Sequence, residues 1–257
     1  MFMVGEGPTD IGDLADDRAY RNAEDPREGF LQPVVRNLVG PDLELEFFDG
    51  RKLVHLPAGG KNQPPHKLQA RKAAQALALA TELGADALVF ACDVDKAHGK
   101  ATKIERRKRL RELRKSIHDG FEHARREDPE TQQVATAIAV PARMIEAWAL
   151  GDRAALAELL EVDVSILTYA EPEELWGSGS DPASNHPKSV WNRVTDRRIG
   201  FSEIGEAADP EVLRESCPDS FGAFAKDVDQ AVEHCPHLHA EKRSPCRGGG
   251  DGGENVR

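Results

Sequence analysis

Three short apolar runs constrain this fold more than any other feature: "MFMVG" at the start, "ADALVFACDVD" at 85–95 and "VATAIAV" at 134–140. Each is of strand length and largely continuous, without strict polar alternation, and helical patterns lie between them. Continuous apolar strands are buried on both faces, and strands joined through helices pair in parallel. The expected fold class is therefore α/β, a Rossmann-like, mainly parallel sheet with helices on both faces.

The intervening stretches fit that scheme. Pro8 and Thr9 read as a strand-to-helix turn, and residues 10–28 as loop with some helix. "GFLQPVVRNLVG" (29–40) has helical spacing and a closing glycine, and "KLQARKAAQALALATELG" (67–84) is an alanine-rich helix ending at a glycine cap. "LELEFF" (43–48) alternates and predicts a further strand, followed by a glycine- and proline-rich loop carrying Lys61 and Lys67. "ARMIEAWALGD" (142–152) predicts a helix behind Pro141. Beyond Asp152 come short helical pieces broken by "GSGSDPASNHP", Pro210 and Pro218, with no strand pattern. The expected organisation is an α/β domain over 1–152, a C-terminal helical appendage over 153–235, and a glycine-rich, polar tail over 236–257 expected to be disordered.

No apolar run approaches the ~20 residues that span a bilayer, and the start lacks a charged-then-apolar leader pattern, so a cytoplasmic protein without membrane contact is expected. Four widely spaced cysteines show no disulfide framework. Cys235, His237, His239 and Cys246 could ligate zinc, but their spacing matches no common site, and a loose histidine-bearing tail is the simpler reading. The net charge of −11 argues against nucleic acid until its distribution is considered. "KATKIERRKRLRELRK" (100–115) alone carries nine basic and two acidic side chains. Its apolar stripe (Leu110, Leu113, Ile117, Phe121, Ala124) would face the core, leaving Arg106, Arg107, Lys108, Arg109 and Arg111 as candidates for phosphate contact. A solvated amphipathic helix is the plainer alternative. Few tryptophans and tyrosines favour backbone contact over base stacking.

The chemistry-bearing residues are acids at proposed strand ends: Glu6 with Asp10, Asp93 with Asp95, and Glu146 with Asp152. Carboxyl ends of parallel strands share one crevice, so these acids can converge. Carboxylates brought together repel unless a cation sits among them, and hard oxygen donors suit Mg2+ or Mn2+. Taken singly, an Asp-x-Asp after a strand is often just a solvated pair of side chains, and Glu6 or Asp10 could simply complement a helix dipole. Lys61, Lys67 and Lys188 are candidate cations, each more simply a solvated lysine. Trp148 and Cys92 read as core residues.

"VGEGPTD", "FACDVD" and "VPARMIEAWALGD", in that order, resemble the TOPRIM-like proteins, the topoisomerase–primase metal fold. The nearest likeness is to a bacterial group related to overcoming-lysogenization-defect nucleases. "HPKSVWNRV" and "LRESCPDSFGAFAKDV" resemble that group's C-terminal helices. The resemblance implies a TOPRIM-like metal domain hydrolysing phosphodiesters, with Glu6, Asp10, Asp93, Asp95 and Glu146 as metal ligands. Glu6, Asp93, Asp95 and Lys188 would be catalytic. It further implies Mg2+ or Mn2+, a DNA or RNA target, and an AAA- or ABC-type ATPase partner in a phage-defence module. A homodimer is a candidate assembly that the sequence leaves open. No Walker A frame is present, since "GGKNQ" lacks it. The rival readings are a non-catalytic scaffold subunit and a metal-dependent nucleotidyl or sugar transferase.

Overall fold

The structure, a computed structural model, describes residues 1–12, 28–47, 49–56, 65–94 and 102–234. Four parallel strands form one sheet in the order β2-β1-β3-β4: β1 (Phe2–Gly5), β2 (Asp49–Lys52), β3 (Ala87–Ala91) and β4 (Ala135–Ala139). The register pairs Phe2 with Asp49 on one side and with Leu88 on the other, and Ala91 with Ala139. The predicted α/β class with a parallel, helix-flanked sheet is observed.

Alternation along the strands divides the core in two. Phe2, Val4, Leu88, Phe90 and Ile138 point to one face, which α3 (Pro65–Glu82) and α4 (Lys103–Glu127) cover. These two helices approach closely where Gly120 meets the backbone of Ala70. The α4 start is fixed by a reciprocal capping box between Thr102 and Glu105, and Leu110, Ile117, Phe121 and Ala124 are buried as the stripe predicted. Gly84, at φ 67°, closes the turn after α3 in the left-handed conformation expected of its cap.

Met3, Val89, Ala91, Ala137 and Ala139 face the other layer. It holds α2 (Leu31–Val39), α5 (Ile145–Ala149) and the helices after Asp152: α6 (Arg153–Leu160), α7 (Pro187–Thr195), α8 (Phe201–Ala207), α9 (Pro210–Ser216) and α10 (Phe221–His234). The short α1 (Pro8–Ile11) follows β1. Trp148 is fully buried, stacks on Phe224, and donates its indole N–H to Ser220 Oγ at 2.7 Å. The expected division at Asp152 is thus not a division in packing, because these helices share one core with the sheet. Asp152 itself joins the parts, accepting Ala155 N through Oδ1 and Asp209 N through Oδ2.

One strand is corrected. Residues 44–47 are not strand, and the strand beside β1 is the polar Asp49–Lys52. Pairing decides this, since β1 begins at Phe2 and Phe2 already faces Asp49, so earlier residues have no strand to join. The alternation of "LELEFF" reflects instead a segment that packs Leu45 and Phe47 on the core and exposes Glu44 and Glu46. The predicted 142–152 helix is also shorter, covering Ile145–Ala149. Among the described residues no helix is long and apolar enough to cross a membrane. The residues from 235 onward, with the tail and its cysteines and histidines, lie outside the described residues, as do Lys61 and Asp95.

Candidate functional site

The strand order reverses direction between β1 and β3, and Glu6 and Asp93 follow the carboxyl ends of those two strands. This is where an open α/β sheet opens a crevice. Glu6 Oε1 accepts the backbone N–H of Asp93 at 3.3 Å, bridging the two strand ends. The four-residue spacing of Glu6 and Asp10 has a local cause. The helix α1 turns the chain back so that Asp10 Oδ2 accepts the Glu6 N–H at 2.7 Å. Close approach needs glycine twice: a Cβ on Gly5 would stand 2.8 Å from Ile11 and 3.3 Å from Asp10 Oδ2, and one on Gly29 2.5 Å from the Asp10 carbonyl.

Asp10 is buried, and burial is the main reason its carboxyl is pushed up to about 7. The charges of Glu6 and Glu146 push the same way, while the N–H groups of Glu6 and Gly7 oppose them. Glu146, buried in the first turn of α5, is raised by burial, with Lys188 partly compensating. Lys188 itself is exposed on α7, whose cap is the buried His186; Nδ1 of that ring accepts the Lys188 N–H at 3.2 Å. The Cys92 thiol, buried beside the crevice, is raised first by burial and then by Glu6, Asp93 and Asp10, with Lys72 opposing. Asp10 thus feels the charges of both Glu6 and Glu146, and Glu6 in turn is hydrogen-bonded to Asp93.

Asp152 is drawn away into its capping role, and Lys67 is exposed on α3. Lys72 was not expected. It is 8% exposed, and its ammonium donates to the Leu53 carbonyl at 2.6 Å, just past the end of β2. The signal lay in α3, where Lys72 falls on the buried stripe of Ala73, Ala76, Leu77 and Ala80. Among the described residues no three of His, Cys, Asp and Glu form a group that could hold a metal ion. The donors are carboxylate oxygens, the kind that suits Mg2+ or Mn2+, and the buried Asp10 is raised mainly by burial with Glu6 and Glu146 adding to it.

The basic cluster is partly spent inside the molecule. Lys103 pairs with Glu174 and Arg107 with Asp219. Two guanidinium groups approach the Trp176 ring, Arg143 at 4.1 Å and Arg106 at 5.0 Å from its centre. Lys108, Arg109 and Arg111 are exposed, and Lys108 makes only a long 3.8 Å pair with Glu112. No family model matches this chain, and neither does any curated protein or solved structure.

Proposed function

We propose that the protein is a TOPRIM-like, Mg2+- or Mn2+-dependent nuclease whose site is the strand-end crevice. The observation that carries this reading is the Asp10–Glu6–Asp93 linkage across the switch point of a parallel sheet. Glu6, Asp10, Asp93 and Glu146 would hold the ion, with Asp95 two residues beyond Asp93 in sequence. A bound divalent ion would polarise a phosphoryl oxygen and lower the pKa of a water. Glu6, exposed at the mouth, can accept a proton from an attacking water or return one to the leaving oxygen. Lys188, exposed and near Glu146, suits the negative charge of a phosphodiester. ATP-driven control would come from a partner ATPase.

The full chain is to be incubated with labelled DNA and with labelled RNA, with Mg2+ or Mn2+, alone and with a candidate ATPase. Asp93→Ala is expected to lower cleavage at least about a hundredfold while leaving the melting temperature near the parent's. Cleavage unchanged in that variant would overturn the assignment. Metal binding without turnover of either polymer would instead indicate a binding subunit.

Binding to nucleic acid should divide the basic residues into two groups. Replacing Lys108, Arg109 and Arg111 with Gln is expected to flatten the salt dependence of binding by roughly one unit of slope per lost phosphate contact. Replacing Arg106 or Arg107 should act mainly on stability, because their charges are engaged with Trp176 and Asp219. Titrations in the Asp93→Ala background at several salt concentrations measure both. An unchanged slope in the triple variant would make this helix face a solvated one only.

A further inference from the structure

Lys72 is a buried cation on α3 whose head group is held just past the end of β2, beside the strand end that carries Glu6. Leaving an ammonium out of water is costly unless it finds partners, and a helix position on an apolar stripe would ordinarily carry Leu or Ala. One of its three N–H bonds goes to the Leu53 carbonyl, which fixes the head group just past the end of β2. The register pairs Gly5 with Lys52, so Leu53 and Glu6 directly follow paired strand residues and the ammonium is held on the Glu6 side of the sheet edge; burial lowers its pKa and the nearby Glu6 carboxylate opposes that. Asp10 and Lys72 thus belong to different layers: Asp10 lies with α1, beside Ile11 in the α2 layer, and Lys72 lies on α3 in the opposite one.

We propose that Lys72 is the resident cation of this crevice, a positioning residue that offsets the charge of Glu6 when the crevice is empty and opposes the entry of a bare divalent ion. The second half rests on the proposed metal-dependent function, whereas the first stands without it. A fixed positive charge at this place weakens the binding of a free metal ion but favours an ion arriving with an anion. The ligand class so selected is a metal–phosphate pair. Lys72 would thereby keep the acids from being filled by metal alone and reserve the crevice for a phosphate-bearing substrate.

The test uses the full chain as wild type, Lys72→Met, Lys72→Arg and Glu6→Gln. Mn2+ titrations read from the electron paramagnetic resonance of the free ion are expected to show about tenfold tighter binding in Lys72→Met, with Lys72→Arg close to the parent. A merely structural lysine would give unchanged or weaker binding, and either result overturns the proposal. In metal-free buffer, melts of Lys72→Met, Glu6→Gln and the double variant should be non-additive, the Met substitution lowering the melting temperature less in the E6Q background. If neither protein binds Mn2+ at millimolar concentration, the metal reading falls and the melts alone decide. Additivity then overturns the role of Lys72, and non-additivity retains it. Should Lys72→Met not fold, Lys72→Gln, whose amide can still donate to Leu53, takes its place in both arms.

Discussion

Asp10→Asn is expected to make the protein more stable at pH 8, an unusual outcome for replacing a buried residue in a candidate site. The carboxyl has an ordinary value of 3.8 and stands at about 7 in the folded chain, chiefly because it is buried and also because Glu6 and Glu146 are near. Between these values the folded state holds a proton that the unfolded state has lost. Stability therefore falls as pH rises through this window and levels off above about pH 7. At about 1.4 kcal/mol per pH unit, the full penalty is on the order of 4 kcal/mol. Asn is uncharged throughout and can keep an oxygen for the Glu6 N–H. The variant should melt roughly 10 °C above the parent at pH 8, and the gap should close below pH 4. Millimolar Mg2+ should raise the parent more than the variant, because an ion relieves repulsion that the variant no longer has. Melting curves from pH 4 to 8, with and without Mg2+, give both results. An Asn variant less stable than the parent at pH 8 would show that the Asp10 charge is already compensated.

Gly120→Ala should have the opposite sign and a similar size. A Cβ at this position would lie 2.7 Å from the Ala70 carbonyl carbon and 2.9 Å from its Cα, and closer still to its oxygen. All three atoms are backbone, so no side chain can rotate away. The two longest helices, α3 and α4, would have to separate along the layer that covers Phe2, Val4, Leu88 and Phe90. Interiors are packed as densely as crystals, and such a shift loses contacts over the whole face. Overpacking of this kind costs about 3 kcal/mol or more, against a helix-propensity gain of at most about 1 kcal/mol from losing glycine. Urea titration of Gly120→Ala and Gly120→Ser should show both variants with lower midpoints than the parent, Ser no better than Ala. A midpoint for Gly120→Ala at or above the parent's would mean that α3 and α4 do not meet at this point.

The apolar runs by themselves determined the fold class, because uninterrupted apolar strands must be covered on both sides and helices lay ready between them. They also placed Glu6 and Asp93 at one edge, since a parallel sheet has all its carboxyl ends together. The stripe on the basic helix was readable for the same reason, burial leaving a period in the sequence. Tertiary structure decided the rest. The polar strand Asp49–Lys52 is a strand only because β1 offers it a partner in register, which no local pattern expresses. Arg107 looked free for phosphate until the segment bearing Asp219 met it, a partner 112 residues away. Asp152 looked like the partner of Glu146 in the acidic set but became a cap, because α6 and Asp209 reached its two oxygens first. The segment after Asp152 read as an appendage because each helix is short and weakly patterned, yet its apolar faces complete the second layer of the sheet. Lys72 carried its signal in plain view, a charge on a buried stripe. What that charge faces was settled by the convergence of β1 and β2 at one edge, where Leu53 holds the ammonium and the Glu6 carboxylate acts on it.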